Sequence, residues 1–234
     1  MLSRVIANDR IAKDVMRLIL SGDTAGCAPG RFVHLQVPGF YLRRPLSLCD
    51  WDDSSYTLIY KIVGDGTAAM AGWKPGLAVD AMVGLGNGYG LDALGEKPLL
   101  VGGGSGVPPL YALAKALLAR GKKPVVALGF SAPEEVFLKN EFEALCETHV
   151  AVGGYVTDLF PGLTFDSVAA CGPEPMLRAV YHAADVPGQF SFEARMACGV
   201  GACMGCTCVT NFGPKRICAD GPVFKREEIL WTRG

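Results

Sequence analysis

Over residues 1–95 the apolar positions come in short runs. VMRLIL, RFVHLQV, RPLSLCD and YTLIYKIV are β-branched or aromatic stretches, and GDTAGCAPG, PGF and GDG separate them as turns. Short strands at this spacing predict a closed or nearly closed barrel. From Lys97 the pattern changes. KPLLVGGGSGVPPLYALAKALLARGKKPVVALGF reads as an apolar strand, a glycine loop, a helix with apolar spacing from Leu110 to Leu118, a stop at Gly121 and a second apolar strand. That is a βαβ unit, and with it comes a parallel sheet. SVAACG predicts a further strand, feeding a helix in PEPMLRAVYHAA. The glycine- and cysteine-rich stretch from Gln189 is too short for a hydrophobic core of its own, and a bound metal centre would supply what the core cannot. The expected division is therefore a barrel over 1–95, an α/β domain over 96–188 and a small module over 189–234.

Composition narrows the function classes. Half of the 234 residues are hydrophobic and 19% are charged, which supports two compact cores and excludes a disordered chain. A net charge of −1 offers no electrostatic footprint for nucleic acid or an anionic membrane. No apolar run approaches the roughly eighteen residues needed to span a bilayer, so no membrane span is expected. The N-terminus, MLSRVIANDRIAKDVMRLIL, is broken by charges and has no secretory h-region. A cytoplasmic setting follows, in which thiols stay reduced, and the odd count of nine cysteines also fits poorly with full disulfide pairing.

Four stretches carry chemistry. In RRPLS (Arg43–Ser47), alternation along a strand lets only one of Arg43 and Arg44 point into a given site. An arginine fork suits a pyrophosphate and the Ser47 hydroxyl can donate to a ring nitrogen. Gly66 and Thr67 offer a turn with free amides and a hydroxyl, a further phosphate contact. The bland alternative is a surface arginine pair and an ordinary turn. The loop Gly102–Gly106, with Gly102, Gly103, Gly104 and Gly106, lies between strand and helix, where orphan amides attract phosphate. It is not the G-x-G-x-x-G fingerprint, because position 107 is valine. Cys171 ends a strand, where it either faces a bound ring or is a small buried hydrophobe. The strongest signal is MACGVGACMGCTCV…RICADGP. Cys198, Cys203 and Cys206 follow the Cys-x4-Cys-x2-Cys spacing of plant-type 2Fe–2S proteins, with Cys218 as the distant fourth thiol. Structural zinc is the competing reading, although only one short Cys-x2-Cys knuckle is present. Cys208 falls outside the spacing.

Taken in order, RRPLSL, IYKIVGDGT, GLGNGYG, VGGGSGVPPL, CGPEPM and EARMACGVGACMGC…RICADGPVF resemble the ferredoxin–NADP reductase superfamily. Within it, they are most similar to the electron-transfer subunits of dihydroorotate dehydrogenase B. The resemblance implies a ferredoxin-reductase-like FAD-binding barrel, a parallel-sheet NAD-binding domain and a C-terminal 2Fe–2S module. It places FAD contacts on Arg44, Pro45, Leu46 and Ser47, on Ile59, Tyr60 and Lys61, and on Gly66 and Thr67. It places the cluster ligands on Cys198, Cys203, Cys206 and Cys218. It further implies a partner, an FMN-containing dihydroorotate dehydrogenase catalytic subunit, in a heterotetramer with two copies of each. Two alternatives stay open: the small subunit of another flavin-based complex, such as an NADH-dependent ferredoxin:NADP oxidoreductase or a sulfhydrogenase, and a non-catalytic zinc-binding interaction module. For the nucleotide, the strand PVVALGF runs into Ser131, Ala132, Pro133, Glu134 and Glu135, where two carboxylates would repel a 2′-phosphate. NAD is expected over NADP, with Glu134 or Glu135 either accepting from a ribose hydroxyl or forming a solvated helix start.

Overall fold

The structure, a computed structural model, describes residues 2–231. Six strands form its first half: β1 (Leu2–Ala12), β2 (Val15–Ser21), β3 (Phe32–Leu35), β4 (Arg44–Trp51), β5 (Ser55–Lys61) and β6 (Ala78–Leu85), with a short helix α1 (Asp65–Ala71) before β6. They close into an antiparallel barrel in the order β1-β2-β5-β4-β3-β6. Alternation fills its interior: Leu18 and Leu20 from β2 meet Tyr56, Leu58 and Tyr60 from β5 in one buried cluster. Two of the six strands are not among the apolar runs of the sequence. β1 carries Arg4, Asn8, Asp9 and Arg10, and β6 carries Ala78, Asp80 and Gly84. Closure itself makes them strands, through the pairs Leu2–Asp80, Ser3–Val79 and Arg4–Ala78. Pairing and burial here outweigh weak local preference.

The second half is a six-stranded sheet with helices α2 (Pro108–Ala119), α3 (Lys139–Glu143) and α4 (Glu174–Ala183). Its strands are β7 (Pro98–Gly103), β8 (Val125–Phe130), β9 (Thr148–Val152), β10 (Ser167–Cys171) and β11 (Gly188–Ser191). After a small hairpin, β12 (Thr207–Thr210) with β13 (Gly213–Arg216), the chain returns as β14 (Val223–Lys225). The order is β14-β11-β10-β7-β8-β9, parallel except for β14. All of β7 is buried, as a central parallel strand covered on both faces should be. Helix α2 starts on Pro108 and Pro109, whose missing amide protons cost nothing there. It buries Leu110, Leu113, Ala114 and Leu117, an i, i+3, i+4, i+7 stripe. Gly121, just past its end, has φ +77 and so takes the left-handed turn that stops it.

Two features of this architecture position the site. The chain runs from β7 outward through β8 to β9, then crosses back to place β10 on the other side of β7. That reversal is a topological switch point, where parallel sheets leave a crevice outside the carboxyl ends of their strands. Secondly, the expected boundary at 189 falls inside β11, which pairs with β10, and β14 pairs with β11. The cysteine-rich segment therefore leaves the sheet and returns to it. Barrel and sheet pack as one body: Val15, Cys49 and Ile59 share a buried cluster with Leu100, Leu110 and Leu113. Among the described residues no helix is long and apolar enough to cross a membrane.

Leu100 sits fully buried at the centre of β7. Leu100→Ala should cost about 2–5 kcal/mol of stability in a denaturant titration, through lost burial and the cavity left behind. A loss below about 1 kcal/mol would contradict this packing.

Candidate functional site

A cleft of about 450 Å³ lies between the barrel and the segment after β11. Its barrel wall is Arg44, Pro45, Leu46 and Ser47 from β4, Ile59, Tyr60 and Lys61 from β5, and Gly66 and Thr67 from α1. All nine positions that the family resemblance places on FAD thus line one cavity. The two adjacent arginines part as strand alternation demands. Arg43 pairs with Asp80 and donates to the backbone oxygens of His34 at 3.4 Å and Asp80 at 3.1 Å, which ties β3, β4 and β6 together. Arg44 turns into the cleft, over the Phe40 ring at 4.9 Å and donating to the Leu42 carbonyl. Its guanidinium lies directly against Gly66, where a Cβ would come within 2.1 Å of Nη2. The Thr67 hydroxyl is already engaged: it donates to the Gly64 carbonyl at 2.9 Å and accepts from the Val63 amide at 2.9 Å. It holds the turn, leaving the charged contact to Arg44.

The opposite wall was not read from the sequence. It is Ser191, Phe192, Glu193, Ala194 and Met196, with Pro222 from just before the returning strand. The available signal was position: EARM lies directly ahead of the cysteine motif. Ser105 reaches across to donate to Glu193 Oε1 at 2.9 Å. Cys171 is in this cleft too, fully buried, and burial pushes its thiol up to about 12. At neutral pH burial thus keeps it a thiol, not a thiolate.

A second cleft, of about 650 Å³, opens at the carboxyl ends of β7, β8 and β9. Lys61 and Ser105 line both clefts, so the two communicate. The glycine loop divides by role. Gly103 and Gly104 line the second cleft, and Gly104, at φ +51, has open space around it. Gly102 and Gly106 line neither cleft. They permit close packing instead: a Cβ on Gly106 would sit 2.1 Å from the Cys171 carbonyl oxygen. The two carboxylates read as either a ribose contact or a solvated helix start are ion-paired with the barrel. Glu134 meets Lys13 at 3.2 Å and Glu135 meets Lys61 at 2.6 Å. Sequence reasoning missed these lysines because they come from the other half of the chain.

The four thiols of the plant-type spacing fall into two hydrogen-bonded pairs. Cys198 and Cys203 form one, with the Cys203 amide donating to Cys198 Sγ at 3.4 Å. Cys206 and Cys218 form the other, with the Cys218 amide donating to Cys206 Sγ at 3.4 Å. The Gly201 amide adds a bond to Cys218 Sγ at 3.1 Å. Amides of Cys203 and Val200 pull the Cys198 thiol down to about 6, while burial pushes that of Cys218 up to about 12. Among the described residues no three His, Cys, Asp or Glu side chains converge on one point as a single-metal site. Four thiols in two pairs, each with backbone amides aimed at sulfur, are a donor set that fits a two-iron cluster. Arg216 closes the loop: it donates to the Gly201 carbonyl at 3.0 Å and to Asp220 Oδ2 at 3.0 Å. Cys208 lies within β12 opposite Lys215 and packs against the core containing Phe190 and Phe224. Met196, two residues before Cys198, is in the wall of the first cleft, so thiol loop and cleft are within about 7 Å along the backbone.

Residues 193–230 match the iron–sulfur cluster binding domain of dihydroorotate dehydrogenase B. Over 248 aligned positions the chain is 45% identical to the electron transfer subunit of dihydroorotate dehydrogenase B (NAD(+)) from Bacillus caldolyticus, covering 96% of each. It is 41% identical to the same subunit from Fusobacterium nucleatum, covering 95% of each. Among solved structures, a chain of an NADH-dependent reduced ferredoxin–NADP oxidoreductase superposes with a TM-score of 0.90 at 30% identity, over 99% of this chain and 90% of that one. Phthalate dioxygenase reductase shares the fold, with a TM-score of 0.65 at 22% identity over 78% of this chain and 63% of that one.

Two tests follow from the geometry. Arg44→Ala should weaken FAD retention at least tenfold, or about 1.4 kcal/mol, while Arg43→Ala lowers barrel stability and leaves FAD affinity within about threefold. Flavin fluorescence on dilution reads both, and equal losses would contradict the assignment. Serine at Cys206 should abolish the visible absorption of the cluster and its reduced-state EPR signal, whereas Cys208→Ser keeps both. The reverse pattern would show that Cys208 is the ligand.

Proposed function

The chain belongs to the family of electron-transfer subunits of dihydroorotate dehydrogenase B, and on that footing we propose that it passes electrons from a partner flavoprotein to NAD, in pyrimidine biosynthesis and in the cytoplasm. The partner in this reading is the FMN-containing catalytic subunit, which oxidises dihydroorotate to orotate, in a heterotetramer of two copies each. The observation that carries the reading is continuity: one wall of the FAD cleft belongs to the segment that goes on to hold the four thiols, and the cleft opens into a second one at the glycine loop. The bound groups supply the redox chemistry, a flavin trading electrons in pairs with nicotinamide and singly with the cluster.

The chain's own residues bind and orient. Arg44, beside Gly66, neutralises the FAD pyrophosphate, and Ser47 with the strand edge at Pro45 and Leu46 sets the ring. Ile59, Tyr60 and Lys61 complete the barrel wall, and Phe192 and Met196 cover the other side and exclude water. Cys171 stands at the end of β10 as a neutral thiol, so the ring meets no fixed charge from it. Gly103 and Gly104 give a dinucleotide close backbone approach in the second cleft. Cys198, Cys203, Cys206 and Cys218 would hold the cluster. The three-part division, with the cluster module built as a loop out of the sheet, serves this order of cofactors. Val200, Met204, Val209 and Phe212 are exposed on the thiol-bearing segment and offer an apolar face to a partner.

The likeness to the NADH-dependent ferredoxin–NADP oxidoreductase favours a second reading, in which the chain is the small subunit of a complex of that kind. Co-purification from the native host decides: an FMN protein oxidising dihydroorotate supports the first reading, and a larger flavin and iron–sulfur subunit supports the second.

Nucleotide choice is testable on this chain directly. Among the described residues that line the second cleft Lys61 is the one Lys or Arg, and Glu135 pairs with it. NADH should be preferred over NADPH at least tenfold in kcat/KM, a difference of about 1.4 kcal/mol. Glu135→Gln leaves Lys61 unpaired and should narrow that preference several-fold. Steady-state dye reduction with each nucleotide checks both, and a wild-type preference for NADPH would overturn the account of the second cleft.

A further inference from the structure

We propose that His34 is a positioning residue for the iron–sulfur cluster: its imidazole, set in the barrel, donates a hydrogen bond into the sulfurs on the Cys198 side. His34 is in β3, where its backbone pairs with Pro45 of β4 and Met82 of β6. Its side chain is fully buried, at 0% exposure. Backbone carbonyls of Arg43 and Cys198 face the ring as weak acceptors, but neither ring nitrogen reaches a partner with full hydrogen-bonding geometry. A buried imidazole whose nitrogens make no hydrogen bond of full geometry is costly, because an N–H donor and an acceptor have been taken out of water for weak contacts only. Such orphans in a native structure point to a missing partner.

The direction of the missing partner is given by Gly199. A Cβ there would lie 2.4 Å from His34 Nδ1 and 3.0 Å from Cε1, so the ring edge presses directly on the loop between the first two thiols. Gly199 also has φ +72, a conformation that glycine takes freely, and this lets the Cys198–Cys203 loop fold down onto the ring. The sulfurs of a bound cluster are anionic acceptors. An N–H donor in a water-excluded site stabilises the reduced, more negative cluster more than the oxidised one. His34 thereby sits between the two cofactor sites: its neighbour Phe32, two residues along the same strand and edge-on to it at 6.4 Å, lines the FAD cleft.

This inference rests on the cluster assignment above, and the two are separable by experiment. Full-length protein labelled with nitrogen-15 histidine is loaded with its cluster, and iron and sulfide are counted. Absence of a two-iron cluster overturns the site itself. With the cluster present, pulsed EPR of the reduced protein should show a weak nitrogen-15 coupling, and none would overturn the role of His34 alone. In parallel, His34→Leu should lower the equilibrium constant for one-electron reduction at least tenfold, a fall of about 59 mV in midpoint potential. His34→Gln, which restores an N–H donor, should recover most of that loss. A leucine variant at the wild-type potential, or a glutamine variant no better than leucine, would contradict the proposal. The nitrogen coupling needs no variant, so the test stands even where a substitution disturbs folding.

Discussion

The antiparallel pairing of β14 with β11 is the constraint on which the rest of the molecule depends. Gln189 faces Lys225, Phe190 faces Phe224 and Ser191 faces Val223, and the Phe192 amide continues the ladder to the Pro222 carbonyl at 2.9 Å. A segment with too few apolar residues for its own core is held at both ends by the edge of a sheet that has one. The same two strands deliver Phe192 and Met196 on the way out and Pro222 on the way back, and these wall the FAD cleft. Between them the loop is drawn together by Arg216, which joins Gly201 to Asp220, and by the press of Gly199 on the barrel. Thiols and flavin cleft are therefore neighbours by covalent connection and by sheet pairing, without a flexible linker between them.

Charge placement joins the two larger halves. Lys13 to Glu134, Arg17 to Glu141, Lys61 to Glu135 and Lys115 to Asp50 all run between barrel and sheet domain. Each is partly exposed, so each contributes little to stability alone, on the order of 0–1 kcal/mol. Their effect is on orientation, above an apolar interface built from Val15, Ile59, Leu100 and Leu110. One of the four has a second consequence. Lys61 lies where the two clefts communicate, and Glu135 removes its charge from the path that a nucleotide phosphate would sense.

Much of this was legible in the sequence because it is local. The runs that became β2 to β5 announce themselves as short β-branched or aromatic stretches between turns, and α2 by its apolar stripe, which the structure extends by two residues to Pro108 and by one to Ala119. Arg44 rather than Arg43 follows from strand parity once one of them is placed. What the sequence hides is contact across distance. β1 and β6 are strands because the barrel closes, not because Asn8 or Gly84 prefers to be in one. Glu134 and Glu135 looked free for a ribose because their partners are 121 and 74 residues away. Gly102 and Gly106 looked like phosphate contacts, since a glycine needed for packing and one needed for a ligand read alike. His34 gave no signal at all until Gly199 was found on top of it.

Nicotinamide, flavin and iron–sulfur cluster exchange electrons through adjoining sites of one chain, a path that NADH can drive in the reverse sense. The most direct measurement is anaerobic addition of NADH to the purified, cofactor-loaded protein without any dihydroorotate, followed by rapid freezing. Flavin absorbance and the EPR signal of the reduced cluster are read on the same samples. The account predicts flavin bleaching followed by the cluster signal, with no added mediator. Bleached flavin beside a cluster that stays oxidised, with dithionite able to reduce it, would contradict the continuity of the two sites.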